Sequence, residues 1–199
     1  ILMIHGGTTF QFEDDYLDYL KNSEIKLDRI ISHEHWINNL AKDLGDDFVV
    51  FTPKMPNSTN ARYEEWKIWL ETILDILDEG LILIGHSLGG AFLVKYLAEN
   101  KINKKIKATF LLGAPFDDEM EGESLAGFYL PEDISGFADQ SEEIFLLHSK
   151  DDPCVPVEHI FKYQEALPKA KAVLFMSAGH FNLEKFPTLA KLIKEDIAT

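Results

Sequence analysis

The segment Leu81–Gly90, with the sequence LILIGHSLGG, constrains the fold more than any other part of the chain. Four apolar residues lead into a Gly-x-Ser-x-Gly pentapeptide, and a helical apolar pattern follows over Leu88–Glu99. A serine at a sharp turn between a strand and a helix points its hydroxyl out of the sheet, and the flanking glycines let the backbones approach closely. Because the pentapeptide lies between a strand and a helix, we interpret Ser87 as a nucleophile.

Short apolar runs alternate with amphipathic stretches along the whole chain. The predicted strands are Ile1–His5, Phe48–Thr52, Leu81–Ile84, Thr109–Leu112, Ile144–His148 and Ala172–Met176. The predicted helices are Glu34–Leu44, Ala61–Glu79, Leu88–Glu99, Glu158–Ala166 and Leu183–Ile197. One helix carries a long apolar stripe formed by Trp66, Trp69, Leu70, Ile73, Leu74 and Leu77. This alternation predicts an α/β fold of right-handed βαβ units, with a mainly parallel sheet covered by helices on both faces.

The length of 199 residues suits one domain, spanning residues 1–199, and no linker divides it. Two stretches interrupt the alternation. Gln11–Ser32 is predicted to be a small insertion that holds a short surface helix. Asp117–Glu143 leaves the carboxyl end of a strand, where α/β proteins bind ligands, so it is either a second surface helix or a segment that covers the substrate.

Composition limits the partners. The chain has 19 basic and 34 acidic residues, a net charge of −15, which repels phosphate backbones and anionic lipids. We therefore expect neither nucleic acid nor membrane as a partner, and no apolar run reaches the roughly 18–20 residues of a membrane span. The lone Cys154 excludes an internal disulfide and suits the cytoplasm. The chain opens inside a strand-like run without Met or a signal-peptide pattern, so a few residues are expected to precede Ile1.

A serine nucleophile needs a base, an orienting acid and donors for the oxyanion. Two aspartates, Asp151 and Asp152, follow the strand Ile144–His148, and either is a candidate acid. The Asp-x-x-Val-Pro spacing favours Asp152. His180 follows the last strand and is the predicted base. The resulting chain order, Ser, Asp, His, is the order of the α/β-hydrolases.

The predicted oxyanion donors are two backbone N–H groups. Leu88 follows the nucleophile at the start of its helix, and Gly7 lies in the loop after the first strand, with Thr8 as the second choice. The Gly-Gly pair also fits an ordinary turn. The expected substrate contacts are Thr8, Met55, Phe116 and Phe181.

The remaining histidines have other interpretations. His5 and His86 are predicted to stabilise their loops. His33 and His35 resemble half of a metal site, but no third ligand is evident, so we expect no metal and no cofactor.

With these residues in place, the chain resembles the α/β-hydrolase superfamily. Within it, the chain is similar to the small cap-less serine hydrolases of the YdeN and retinoblastoma-binding-protein-nine group. The motifs that carry the resemblance are His5-Gly6-Gly7, His35-Trp36, Met55-Pro56-Asn57, Glu64-Glu65-Trp66, Gly85-His86-Ser87-Leu88-Gly89, Ser149-Lys150-Asp151-Asp152 with Val155-Pro156, and Gly179-His180-Phe181.

The resemblance implies a single-domain α/β-hydrolase fold with a six-stranded sheet in the order 2-1-3-4-5-6. It also implies a Ser87–Asp152–His180 triad that hydrolyses small acyl esters without a cofactor. Gln11–Ser32 is longer than the group usually shows. The Leu-x-Cys-x-Glu segment associated with retinoblastoma-protein binding does not occur here, so that partner is not implied.

Together these features predict a cytoplasmic serine hydrolase that cleaves small or medium acyl esters through an acyl-enzyme on Ser87. Its expected partner is a small-molecule acyl substrate, and the sequence does not indicate an oligomeric state. Amidase, thioesterase, peptidase and acyltransferase activities would use the same residues. A non-catalytic binding protein that keeps the fold is the remaining alternative.

Overall fold

Five parallel strands form one sheet in the order β1-β2-β3-β4-β5. The structure is a computed structural model that describes residues 1–23, 35–120 and 124–197, without the side chains of 196 and 197. The strands are β1 (Leu2–Ile4), β2 (Leu81–His86), β3 (Ile106–Leu112), β4 (Ser141–Ser149) and β5 (Lys171–Phe175). All four strand pairs are parallel, so their carboxyl ends meet at one edge of the sheet.

Helices cover both faces of this sheet. They are α1 (Glu13–Asn22), α2 (Trp36–Leu44), α3 (Tyr63–Ile76), α4 (Leu88–Glu99), α5 (Ser135–Gln140), α6 (Glu158–Ala166) and α7 (Pro187–Ile197), with a 3₁₀ turn at Ala126–Phe128. Neighbouring residues of a strand point to opposite faces. On β3, Phe110 and Leu112 join a core layer with α2 and α7, while Leu111 joins the layer of α3, α4 and α6. The predicted α/β architecture is confirmed.

The predicted strand Phe48–Thr52 is wrong as a full strand. Only Phe51 pairs with β1, through a bridge to Leu2 and hydrogen bonds with the backbones of Ile1 and Met3. Because β1 spans three residues, it offers a neighbour few backbone partners, and Val49 and Phe51 stay largely exposed. The segment still lies outside β1, so the predicted order holds with five strands and one bridge instead of six strands.

The two interrupting stretches fold differently. The first contains α1, which has no buried residue and is a surface helix, as expected; the rest of it, from residue 24 to 32, lies outside the described residues. The second contains the 3₁₀ turn and α5, and its Phe128 and Phe137 are fully buried in the core. Its largest apolar side chains therefore pack against the domain.

The apolar stripe of α3 is narrower than predicted. Trp66, Leu70 and Leu74 are buried at four-residue spacing, whereas Trp69 is 43% exposed. Trp66 packs edge-to-face against Phe92 of α4. In the part of the chain that the structure describes, no helix is long and apolar enough to span a membrane.

Candidate active site

Ser87 lies on a strained turn between β2 and α4. Its φ of 54° and ψ of −127° are rare for a residue with a side chain, and such strain persists only where the surroundings enforce it. Here the Ser87 N–H donates to the Leu112 carbonyl of β3 at 2.8 Å. A Cβ on Gly89 would lie 2.4 Å from the Ile4 carbonyl oxygen and 2.6 Å from that of His5. Glycine at this position therefore lets the nucleophile turn pack directly against β1.

His180 and Asp152 form a hydrogen-bonded pair at the carboxyl ends of β5 and β4. His180 Nδ1 donates to Asp152 Oδ2 at 2.8 Å, which leaves Nε2 as the nitrogen that can accept a proton. The other oxygen, Oδ1, accepts the N–H groups of Cys154 at 2.8 Å and Val155 at 2.9 Å. The Asp152 side chain is fully buried, and 9% of the His180 side chain is exposed. This is the geometry of an orienting acid and a base.

The environment keeps the carboxylate ionised. Burial alone would raise the pKa of Asp152, but the hydrogen bond and the electrostatic interaction with His180, together with the Val155 and Cys154 N–H groups, offset burial and hold that pKa below its usual value. A buried anion in this position stabilises an imidazolium on His180.

Asp151, the other candidate acid, has partners other than the His180 ring. Its Oδ1 accepts the Ser149 hydroxyl at 2.5 Å and the Gly179 N–H at 2.9 Å. Ser149 Oγ in turn accepts the Ala178 N–H at 2.8 Å. Asp151 and Ser149 thus tie the loop of the acid to the loop of the base, while Asp152 lies against the imidazole.

Two further buried histidines surround the pair. His86 Nε2 donates to the His180 backbone carbonyl at 2.8 Å, and His148 Nε2 donates to the Val155 carbonyl at 2.9 Å. Burial, reinforced by repulsion from His180, lowers the pKa of His86 to about 3, and burial also lowers the pKa of His148. Both rings are therefore neutral near pH 7, and each holds a backbone carbonyl of a loop that carries a predicted catalytic residue.

The loop after β1 is held close to Ser87. His5 Nε2 accepts the Met55 N–H at 2.9 Å, so Nδ1 carries the proton and donates to the Gly6 carbonyl at 2.6 Å. The predicted stabilising role of His5 is confirmed. A Cβ on Gly6 would lie 3.0 Å from Ser87 Cβ and 3.5 Å from Ser87 Oγ, so the loop backbone at Gly6 passes close to the nucleophile side chain.

The predicted oxyanion donors differ in their availability. The Thr8 N–H, the alternative to Gly7, donates to the Ser58 carbonyl at 2.8 Å and is therefore not available to an oxyanion in this conformation. Neither the Gly7 N–H nor the Leu88 N–H donates to an acceptor within the described residues. Leu88 is the first residue of α4, where backbone N–H groups lack a helical acceptor. Gly7 and Leu88 therefore stay the predicted pair.

Gly113, at the end of β3, is a site residue that the sequence analysis missed. It has a φ of +53°, and a Cβ there would lie 3.2 Å from both Asp152 Oδ2 and His180 Nδ1. Its N–H donates to the Leu147 carbonyl of β4. The signal available in sequence was a glycine directly after a buried strand, at the edge where the other site residues lie.

The four expected substrate contacts occupy different positions. Phe181 is fully buried and packs against Phe186 and Phe175 in the core layer of α2 and α7, which corrects its expected role. Met55 is also a core residue, 4% exposed, and is corrected in the same way. Thr8 and Phe116 are partly exposed in loops after β1 and β3, and for them substrate contact stays a prediction.

The segment after β3 is fastened to α6. His159 Nδ1 accepts the Phe116 N–H at 2.9 Å, so its Nε2 donates to the Glu119 carbonyl at 3.2 Å. Tyr163 donates its hydroxyl proton to the Pro115 carbonyl, and Lys162 pairs with the carboxylates of Asp117 and Glu119. The backbone beside Phe116 is therefore held in a defined position next to the site.

The residues that could bind a metal ion fall into two groups. His35 caps the start of α2 by accepting the Ile37 N–H, and His33 lies outside the described residues. Asp152, Cys154 and His180 each offer a ligand atom within 4.8 Å of the other two.

An α/β sheet with a serine on a strained strand-to-helix turn, followed by an Asp–His pair at the carboxyl ends of later strands, defines the α/β-hydrolase class. The chain belongs to the serine hydrolase family, whose profile matches residues 31–191. A search of curated proteins finds no significant match.

Solved structures share this fold. The ydeN gene product from B. subtilis is 19% identical, with a TM-score of 0.77 over 100% of this chain and 98% of that one. The serine hydrolase CCSP0084 from Cycloclasticus zankles is 14% identical, with a TM-score of 0.64 over 96% and 88% of the two chains. The esterase domain of a Rhodothermus marinus protein is 17% identical, with a TM-score of 0.56 over 98% and 83%. At these identities the likeness concerns the fold.

Proposed function

We propose that this serine hydrolase cleaves small or medium acyl esters through an acyl-enzyme on Ser87. The observation that carries the proposal is the buried Asp152–His180 hydrogen bond of 2.8 Å, located on the same sheet edge as the strained serine turn. A non-catalytic binding protein has no need to bury a carboxylate and hold it with three hydrogen-bond donors. The supported Asp152–His180 pair therefore favours an enzyme.

The proposed reaction follows from the roles of these groups. His180 Nε2 accepts the proton of the Ser87 hydroxyl as Oγ attacks the substrate carbonyl carbon, and the carbonyl electrons move onto the oxygen. The Leu88 and Gly7 N–H groups stabilise that oxyanion. The imidazolium, stabilised by Asp152, then gives its proton to the departing alcohol as the carbon–oxygen bond breaks. Water repeats the sequence and releases the acid.

Esters are the proposed substrate class because an alkoxide leaves more readily than an amide nitrogen. Ester cleavage therefore needs less transition-state stabilisation from the site. The fold neighbour named as an esterase domain supports the same choice. Amidase, thioesterase, peptidase or acyl-transfer activity would use the same residues, and a substrate panel that includes an anilide and a thioester distinguishes the first two from ester hydrolysis.

The test is hydrolysis of p-nitrophenyl esters of increasing acyl length, with a matched anilide and a thioester. Wild type is compared with Ser87→Ala and with Ser135→Ala, an exposed serine on α5 that serves as control. We expect turnover of short or medium esters, a loss of roughly 10⁴–10⁶ in kcat for Ser87→Ala, and no change for Ser135→Ala. Ester turnover that survives Ser87→Ala would refute the proposed nucleophile.

We further propose that the protein works in the cytoplasm, since its one cysteine provides no disulfide for an oxidising compartment. Fractionation of cells that express the natural full-length protein tests this proposal. Recovery with the membrane or secreted fraction would contradict it.

A further inference from the structure

The acid–base pair has a thiol beside it. Cys154 follows Asp152 by two residues, and the ligand atoms of Asp152, Cys154 and His180 form the one cluster of at least three such atoms found among residues 1–23, 35–120 and 124–197. The proposed hydrolysis uses the aspartate and the histidine but has no role for the thiol. Thiolate, imidazole and carboxylate are together a donor set typical of Zn²⁺.

The spacing suits a tetrahedral ion. Zinc bonds of about 2.0–2.3 Å place neighbouring ligand atoms roughly 3.3–3.8 Å apart. The three ligand atoms are all within 4.8 Å of one another, so small movements of the Cys154 and His180 side chains would bring their ligand atoms to an ion bound at Asp152. One position on the ion would remain for water.

The carboxylate can bind an ion without losing its support. Oδ1 already accepts two backbone N–H groups, which fill its two lone-pair sites. Oδ2 accepts His180 Nδ1 at 2.8 Å, and His148 Nε2 lies farther away at 3.8 Å. Of the two carboxylate oxygens, Oδ2 is therefore the one that a cation would bind, while Oδ1 stays bound to the loop.

Either nitrogen of His180 would make the bound ion inhibitory. Coordination through Nδ1 replaces the hydrogen bond to Asp152 and leaves the proton on Nε2, so the ring cannot accept the Ser87 proton. Coordination through Nε2 occupies the basic lone pair itself. Both outcomes remove the base.

We propose that Asp152, Cys154 and His180 form an inhibitory site for a thiophilic divalent cation, with Zn²⁺ as the expected ion. The inhibition rests on the proposed hydrolase function, whereas the binding does not. The net charge of −15 concentrates cations near the surface. The thiol releases its proton on binding, so affinity falls as the pH is lowered.

Binding is tested first, without reference to activity. Co²⁺, a spectroscopic stand-in for Zn²⁺, is titrated into wild type, Ser87→Ala and Cys154→Ser, and the thiolate-to-cobalt charge-transfer absorption is followed. We expect the band in wild type and Ser87→Ala, its displacement by Zn²⁺, and its loss in Cys154→Ser. Absence of the band from folded wild type, or its persistence in Cys154→Ser, overturns the proposal.

Inhibition is tested second, with each variant measured against its own metal-free rate. We expect micromolar-range or tighter Zn²⁺ to inhibit ester hydrolysis, a chelator to restore it, and Cys154→Ser and Cys154→Ala to raise the half-inhibiting concentration at least about ten-fold. Mg²⁺, which prefers oxygen ligands, is the control and should not inhibit. Equal inhibition of wild type and both Cys154 variants overturns the proposal. A protein without hydrolase activity would still give the cobalt band, so the two proposals fail separately.

Discussion

Replacing Gly113 by alanine tests whether the end of β3 shapes the acid–base pair. A Cβ at this position would lie 3.2 Å from Asp152 Oδ2, 3.2 Å from His180 Nδ1 and 3.3 Å from His180 Cε1. Carbon rarely approaches other atoms this closely, so the pair must move by a few tenths of an ångström. Asp152 cannot retreat freely, because two backbone N–H groups hold its other oxygen.

The Gly113→Ala change should lower both the stability and the activity of the protein. The φ of +53° costs alanine roughly 1–2 kcal/mol of stability, because its Cβ crowds the following carbonyl oxygen. Displacing a catalytic group by about 1 Å costs roughly 10²-fold in rate, so a shift of a few tenths corresponds to a loss of about ten-fold in kcat/KM. The activity loss should therefore exceed what partial unfolding explains, since a folded variant stays almost fully populated.

Gly80→Ala is the matched control. Gly80 has a φ of +79°, precedes β2 at the opposite end of the sheet, and its Cβ would meet only Lys107 Cε at an ordinary 3.6 Å. Urea unfolding and ester kinetics are measured on both variants. We expect a similar loss of stability in both, with the ten-fold loss of kcat/KM confined to Gly113→Ala. Equal activity of the two variants would show that the backbone at Gly113 does not set the position of the acid–base pair.

The remaining predictions concern titratable groups. Asp152→Asn should lower kcat by roughly 10⁴-fold, because an amide cannot stabilise the imidazolium, whereas Asp151→Asn should lower kcat far less. Stopped assays of ester hydrolysis on both variants measure the two losses. A larger loss for Asp151→Asn would transfer the acid role to Asp151. His86→Gln should flatten the pH dependence of unfolding. The pKa of His86 is about 3 when folded and ordinarily 6.5, so the unfolded state takes up the proton and stability rises with pH between these values. From pH 5.5 to 8.0 the gain from this group is about 1.4 kcal/mol, and urea titrations at the two pH values should show it in wild type but not in His86→Gln. An unchanged pH dependence would show that this histidine is not buried in neutral form.

Helices and strands whose apolar pattern and flanking turns are both visible in the sequence were predictable from it. The helices Leu88–Glu99 and Glu158–Ala166 have the predicted bounds. The first begins directly after the nucleophile turn and is buried on nearly all sides, and the second buries one face. Five of the six predicted strands are present, and some of the predictions were too short, since β4 begins with Ser141 and Glu142, which carry no apolar signal of their own. Buried apolar alternation thus sets the fold, while strand ends depend on pairing with neighbours.

The candidate site was predictable where chemistry and chain order coincide. Ser87, Asp152 and His180 each follow a strand, and parallel strands bring their carboxyl ends together. Gly113 was missed because its role depends on side chains 39 and 67 residues away along the chain. Phe181 and Met55 were misjudged because closeness in sequence to the site says nothing of which layer a side chain enters. His86 and His148 bind backbone carbonyls, and no sequence pattern specifies those partners.

The most direct test of a Ser87 acyl-enzyme mechanism is the intact mass of the protein after treatment with a fluorophosphonate. Such a probe transfers its phosphonyl group to a serine only when a base activates that serine. We expect one adduct on wild type, located on the peptide that contains Ser87, no adduct on Ser87→Ala, and strongly slowed labelling of His180→Ala. Folded wild-type protein that stays unlabelled, or an adduct that persists in Ser87→Ala, would contradict it.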